Sequence, residues 1–181
     1  MGRLRNSSNF NIPEELLDII DIDNRIIGQA SKNNVHEKGL RHRVSAVILR
    51  RFDSRYLFPT ASILKVEAGK LFHSVAGHVN AGESYKEAAI RELSEECGVK
   101  ADNVRSLGHF WFEKNYSIRK EKERFEVFQT NYSRSMGLIK LNREQINEKW
   151  LSIPEMKVIY NNEMNSISDP LRLTCEIIFH F

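Results

Sequence analysis

Only two of the 181 residues are cysteine, Cys97 and Cys175, and their spacing forms neither a metal-ligand nor a disulfide pattern. That excludes a disulfide-stapled scaffold and a thiolate metal centre, and it fits a reducing, cytoplasmic setting. No apolar run approaches the roughly 18 residues of a membrane span, so a membrane partner is not expected. An excess of one charge is also missing: the net charge is +3 and the pI near 8.9. That balance suits an anionic small molecule and is too weak to indicate nucleic acid. The opening MGRLRNSSNF has no hydrophobic region of a secretory signal. There are no repeats, no low-complexity tracts and no linker long enough to divide the chain. Residues 1–11 therefore read as a flexible arm and 12–181 as one domain, long enough to enclose a core.

The remaining pattern is mixed α and β. LLDIIDIDNRIIGQAS (Leu16 to Ser31) predicts two short strands around an Asp23-Asn24 turn. RHRVSAVILRR predicts a strand with Val44, Ala46 and Ile48 on one face. Asp53-Ser54 turns the chain into RYLFPTASI, and a loop around Glu67 to Lys70 leads to the apolar run LFHSVAG. VRSLGHFWFEKNYSI and RFEVFQTNYS read as paired strands, with EKE between them or opening the second. EKWLS reads as a further strand. Pro154 and Asp169-Pro170 mark the starts of two final helices.

The most informative segment is GHVNAGESYKEAAIRELSEECGV, Gly77 to Val99. At about 100° per residue, Glu95 and Glu96 fall within about 60° and 40° of Glu92, on opposite sides of it. Tyr85 and Ala88 share that face, whereas Ala89, Ile90, Leu93 and Cys97 form a separate core-facing stripe. Like charges this close raise one another's pKa and weaken the helix. A hard divalent cation removes that penalty, and Mg²⁺ prefers carboxylate oxygens. Arg91 can pair with Glu95 one turn on or reach back to Glu83, and Gly98 suits a C-cap. An ordinary glutamate-rich surface helix has the same charge without this spacing.

The order Gly77, Glu83, Arg91-Glu92, Leu93, Glu95-Glu96, Gly98 and Val99 resembles the Nudix box, the signature of the Nudix hydrolases, with every defining position filled. The resemblance implies an α/β/α sandwich with a mixed β-sheet and the box as loop–helix–loop. It also implies an Mg²⁺- or Mn²⁺-dependent hydrolase that cleaves a diphosphate linkage in a nucleoside diphosphate derivative or related pyrophosphate. By position, Glu92 and Glu96 become the leading metal ligands, Glu95 a third, and the Ala76 carbonyl a fourth. Arg91 and Glu83 would orient them. The family draws its general base either from the box or from a later loop. Here that leaves Glu123 first, Glu121 second, and Glu126 and Glu95 as further candidates. Arg43, Arg51 and Lys65 are candidate phosphate contacts, as are Arg41 and Arg50. Trp111, Phe112 and Tyr116 could stack on a base.

VHEKGLRHRVSAVIL and FHSVAGHVNAGES are also similar to the type I isopentenyl diphosphate isomerase branch of the superfamily. That likeness implies a metal held by three histidines and two glutamates, near the places of His36, His42, His78, Glu121 and Glu123. The isomerase cysteine that precedes the box glycine is Ala76 here. The paired diphosphate-binding arginines of that branch are replaced by Pro59-Thr60, and the box is intact where the isomerases have a degraded one. Hydrolysis is therefore favoured, with isomerisation or non-catalytic nucleotide sensing as alternatives. The proline that often follows the box in ADP-ribose hydrolases is missing, since no proline lies between Gly98 and Pro154. The choice of diphosphate, the number of metal ions and the possibility of a homodimer stay open on sequence grounds.

Overall fold

The computed structural model describes residues 14–181, so the arm read over 1–11 lies outside the described residues. The chain opens with an antiparallel hairpin of β1 (Leu16–Ile20) and β2 (Ile26–Ser31). Its turn falls at the expected place. Asn24 takes φ 66°, and Asp21 Oδ1 accepts the amides of Asp23 and Arg25 at 2.9 Å each. A short helix not expected from the sequence, α1 (Lys32–Lys38), follows directly and stops at left-handed Gly39. Its one fully buried apolar residue is Val35, so packing rather than an amphipathic stripe holds it.

The central strand β3 (His42–Arg50) runs parallel to β8 (Lys120–Asn131) along its whole length. Its other edge is shared by β6 (Val75–His78) and β4 (Tyr56–Leu57), both antiparallel to it. β7 (Arg105–Asn115) pairs with β8, and β10 (Trp150–Leu151) with β4, completing a mixed six-stranded sheet. EKE thus opens the second strand of the β7–β8 pair, and EKWLS supplies only two strand residues. β5 (Thr60–Ala61) and β9 (Gln145–Ile146) form a separate small sheet.

Strand alternation divides the core in two. Val44, Ala46 and Ile48 of β3 pack with Phe110, Phe125, Met156 and Leu171. That layer contains α3 (Ile153–Asn162) and α4 (Asp169–Ile177), whose prolines lie in the first turn as expected. Val47 and Leu49 pack on the opposite face with Ala89, Leu93 and Cys97 of α2 (Tyr85–Cys97). Two helical layers therefore enclose the sheet, as an α/β/α sandwich requires. α2 begins with a complete capping box, Ser84 with Glu87, and ends at Gly98 with φ 68°.

Candidate active site

The apolar side of α2 is fixed by the sheet, and this turns Glu92 and Glu96 toward β6. Both are buried, at 8% and 6% exposure, whereas the Glu95 side chain is 60% exposed. β6 presses closely on this face. A Cβ on Gly77 would lie 2.0 Å from Glu92 Oε1, so the position tolerates only glycine unless Glu92 moves. The amide of Ala76 donates to Glu96 Oε2 at 3.3 Å, and Gln145 Nε2 donates to the same oxygen at 3.0 Å.

Arg91 ties the loop before α2 to these carboxylates. Its Nε and Nη2 donate to the two oxygens of Glu83 at 2.9 Å each, and Nη1 donates to Glu92 at 2.6 Å and Glu95 at 3.1 Å. Nη2 also reaches the carbonyl of His78 at 2.9 Å. Both pairings anticipated for Arg91 are therefore formed at once. Burial pushes the Glu96 carboxyl up to about 7; Lys65 opposes the shift, and the Glu92 and Glu144 charges add to it. Burial also raises Glu92 despite Arg91 beside it. Two buried carboxyls with raised pKa values, aimed at one space, suit a cation.

A second group of donors forms where α1, β3, β6 and β8 meet. His36 Nε2 lies 3.1 Å from His78 Nε2, His36 Nδ1 lies 2.9 Å from Glu121, and His42 Nε2 lies 3.6 Å from Glu123. The ligand atoms of the three histidines lie within 4.8 Å of one another, as do those of His42, Glu121 and Glu123. Although close, His36 Nδ1, His42 Nε2 and both Glu121 oxygens find no aligned hydrogen-bond partner among the described residues. Buried donor atoms that converge on one another without aligned hydrogen bonds, even where Arg119 also pairs with Glu121, suit a bound cation. Burial lowers His78, and the neighbouring His42 lowers it further, which favours the neutral, ligating form. Burial alone would lower His42, but the Glu123 carboxylate more than offsets it and the net shift is upward.

Glu92 and Glu96 of the first group and His78, Glu121 and Glu123 of the second border one cavity of about 510 Å³. Eight glutamates line it against four lysines and arginines. Lys65 borders it and pairs with Glu144. Arg43 and Arg51 do not line it. The Arg43 guanidinium is bound by buried Asp18, and Arg51 pairs with Asp53 at 2.7 Å and covers Trp150. Arg41 pairs with Glu113 at 3.6 Å, and Arg50 donates to Ser54. Glu126 accepts from Ser106, outside the cavity, whereas Glu121 and Glu123 belong to the histidine group. Phe112 and Tyr116 border the cavity and Trp111 does not. Sequence reading missed Glu15, Lys32, Arg119 and Glu144. They stand on segments without periodicity, and only the fold brings them to the cavity.

Comparison with known proteins accords with this geometry. The NUDIX domain model matches residues 40–170. An uncharacterised Nudix hydrolase of Yersinia pestis is 31% identical over 143 residues, covering 78% of this chain and 74% of the relative. One from Streptomyces coelicolor is 38% identical over 87 residues, but the match spans only 48% of either chain. An isopentenyl-diphosphate Delta-isomerase of Photorhabdus laumondii is 27% identical over 155 residues, covering 82% of this chain and 84% of the relative. A crystal structure from Deinococcus radiodurans shares the fold, with TM-score 0.68, 23% identity, and coverage of 91% and 99% of the two chains. With its box intact and its flanks also similar to isomerases, this chain belongs to the Nudix hydrolase family.

Proposed function

We propose that this protein hydrolyses a phosphoanhydride in a small organic diphosphate, with Mg²⁺ or Mn²⁺ held by Glu92 and Glu96. The Ala76 carbonyl is a further candidate ligand, and the histidine group takes a second divalent ion. The observation that carries this reading is the cavity's charge: eight carboxylates against four cations repel a diphosphate until divalent ions are loaded. Ions bound there neutralise the phosphates and make a water more acidic.

The chain's own residues supply the rest. Arg91 fixes Glu92 and Glu95 through its hydrogen bonds, and so sets the positions from which they act. Lys32, Lys65 and Arg119 border the cavity and can receive phosphate oxygens. A base accepts the proton of the attacking water while a bond forms from its oxygen to one phosphorus. The bond from that phosphorus to the bridging oxygen breaks, and the leaving phosphate carries the electron pair away. The sequence favours Glu123 as base, but its place beside His42 favours a ligand role. Glu95, exposed and ion-paired among the described residues with Arg91 alone, is better placed to move a proton. Family resemblance favours a nucleoside diphosphate derivative as substrate, and Tyr116 at the cavity offers a stacking surface. All these residues come from one chain, so a homodimer is not required. No helix among the described residues is long and apolar enough to cross a membrane.

A second reading, isomerisation of an isoprenoid diphosphate, is favoured by the histidine group and opposed by Ala76, which offers a methyl group where a thiol is needed. The test is a panel of nucleoside di- and triphosphates, nucleotide sugars and prenyl diphosphates, assayed for phosphate and pyrophosphate release with Mg²⁺ and with Mn²⁺. Release from at least one class, abolished by chelation, is expected. Binding without turnover across the panel would instead favour a sensor.

A further inference from the structure

Next to the 510 Å³ cavity, and sharing Lys65, Phe72, Ala76 and Glu144 with it, is a second cavity of about 30 Å³ that His73, Gln145 and Ala61 also border. Gln145 is buried at 6% exposure and His73 at 1%. Gln145 spends its amide nitrogen on Glu96 Oε2 at 3.0 Å. Its Oε1 finds no partner among the described residues. His73 Nε2 lies 2.8 Å from Thr174 Oγ1, and that hydroxyl in turn donates to the carbonyl of Pro170 at 3.2 Å. Assigning the threonine proton to that carbonyl makes His73 the donor in the first contact. Its proton therefore sits on Nε2, and Nδ1 is a bare acceptor. Nδ1 has no partner among the described residues either. Burial pushes His73 down to about 3, which favours the neutral ring.

Two buried acceptors without partners, on residues that border one small cavity, call for a molecule with two donor hydrogens. A water needs roughly 10–15 Å³ and two to four polar partners, and both conditions are met here. We propose that Gln145 is a positioning residue for Glu96, held by one buried water that donates to both Gln145 Oε1 and His73 Nδ1. The relay runs from Pro170 and Thr174 on α4 through His73, the water and Gln145 to Glu96. It holds Oε2, with the Ala76 amide, and leaves Oε1 of Glu96 for a cation. It rests on the reading of Glu96 as a metal ligand given above.

The test is Mn²⁺ titration of the whole chain by calorimetry, with kcat measured at saturating Mn²⁺. Gln145→Met keeps the volume and removes both hydrogen bonds. It should weaken the binding step that Glu96→Gln removes by about tenfold, the lower end of the range for partners of metal ligands. kcat at saturating Mn²⁺ should fall less than threefold. His73→Phe, which acts at the far end of the relay, should weaken the same step about threefold, and serves if Gln145→Met does not fold. A crystal structure should show ordered density between His73 Nδ1 and Gln145 Oε1. Wild-type Mn²⁺ affinity in the Gln145 and His73 variants, with Glu96→Gln impaired, would overturn the relay while sparing the metal site. Unchanged affinity in Glu96→Gln would overturn both.

Discussion

Glu96 carries the sharpest conflict in the molecule. Its carboxyl is buried beside Glu92 and Glu144, so ionising it without a cation is costly. The folded pKa of about 7 stands above the ordinary glutamate value. Stability from the protonated form is therefore fully present below that ordinary value and is lost as pH rises through about 7. A bound cation reverses the loss, so the rise in Tm on adding Mn²⁺ should be larger at pH 8 than at pH 5.5. A rise that is equal at both, followed by scanning calorimetry, would remove Glu96 from the ion's ligands. Gly77 makes a second residue-scale prediction. A methyl group there must displace the Glu92 carboxylate, which it would meet at 2.0 Å. Gly77→Ala should weaken Mn²⁺ binding about tenfold or more, as loss of a well-placed ligand would, measurable by the same titration. Arg43 has a partner that no local pattern shows: Asp18, from a hairpin more than twenty residues earlier, pairs with it.

Among the elements, α2 was the most legible, because start, stop and stripe all lie within one short segment. Ser84 and Glu87 cap its first turn and Gly98 its last. Ser84→Ala should cost about 1 kcal/mol of stability, the usual value for a lost N-cap. A urea midpoint unchanged in that variant would mean that tertiary packing, not the cap, holds the helix start. β3, β7 and β8 were legible for a similar reason, since alternation and β-branched or aromatic residues agree. α1 was not. Seven residues beginning Lys-Asn-Asn have little helical preference, and the helix exists because Val35 is buried and Gly39 ends it. It nevertheless delivers His36, so a poorly legible element supplies part of the site. β6 does the reverse. Its few residues were seen only as an apolar run, yet they place Ala76 and Gly77 against Glu92 and Glu96 and His78 against the other histidines.

For the whole molecule, the cavity depends on contacts between residues far apart in sequence. The histidine group unites positions from 36 to 123, and no local pattern announces it; resemblance to the isomerases was the only sequence signal. Glu144 and Gln145 come from the segment after β8 and were invisible for the same reason. The assembled cavity nonetheless lacks a thiol where isomerase chemistry requires one. Isopentenyl diphosphate incubated with the protein and Mn²⁺ in deuterated water should gain no deuterium above a no-enzyme blank. Incorporation above that blank would favour the isomerase reading.

The charge excess of the cavity and the burial of Glu92 and Glu96 lead to one decisive measurement. It is phosphorus NMR of a cleavable diphosphate from the substrate panel, recorded across a Mn²⁺ titration for wild type, Glu96→Gln, Glu95→Gln and Glu123→Gln. Wild type should cleave the P–O–P linkage only with metal, and Glu96→Gln should need far more Mn²⁺ for the same rate. Glu95→Gln should lose about 10²-fold or more in kcat at saturating Mn²⁺, the scale of general-base loss, with its metal midpoint little moved. Wild-type metal dependence in Glu96→Gln, or full turnover in Glu95→Gln alongside loss in Glu123→Gln, would contradict this assignment.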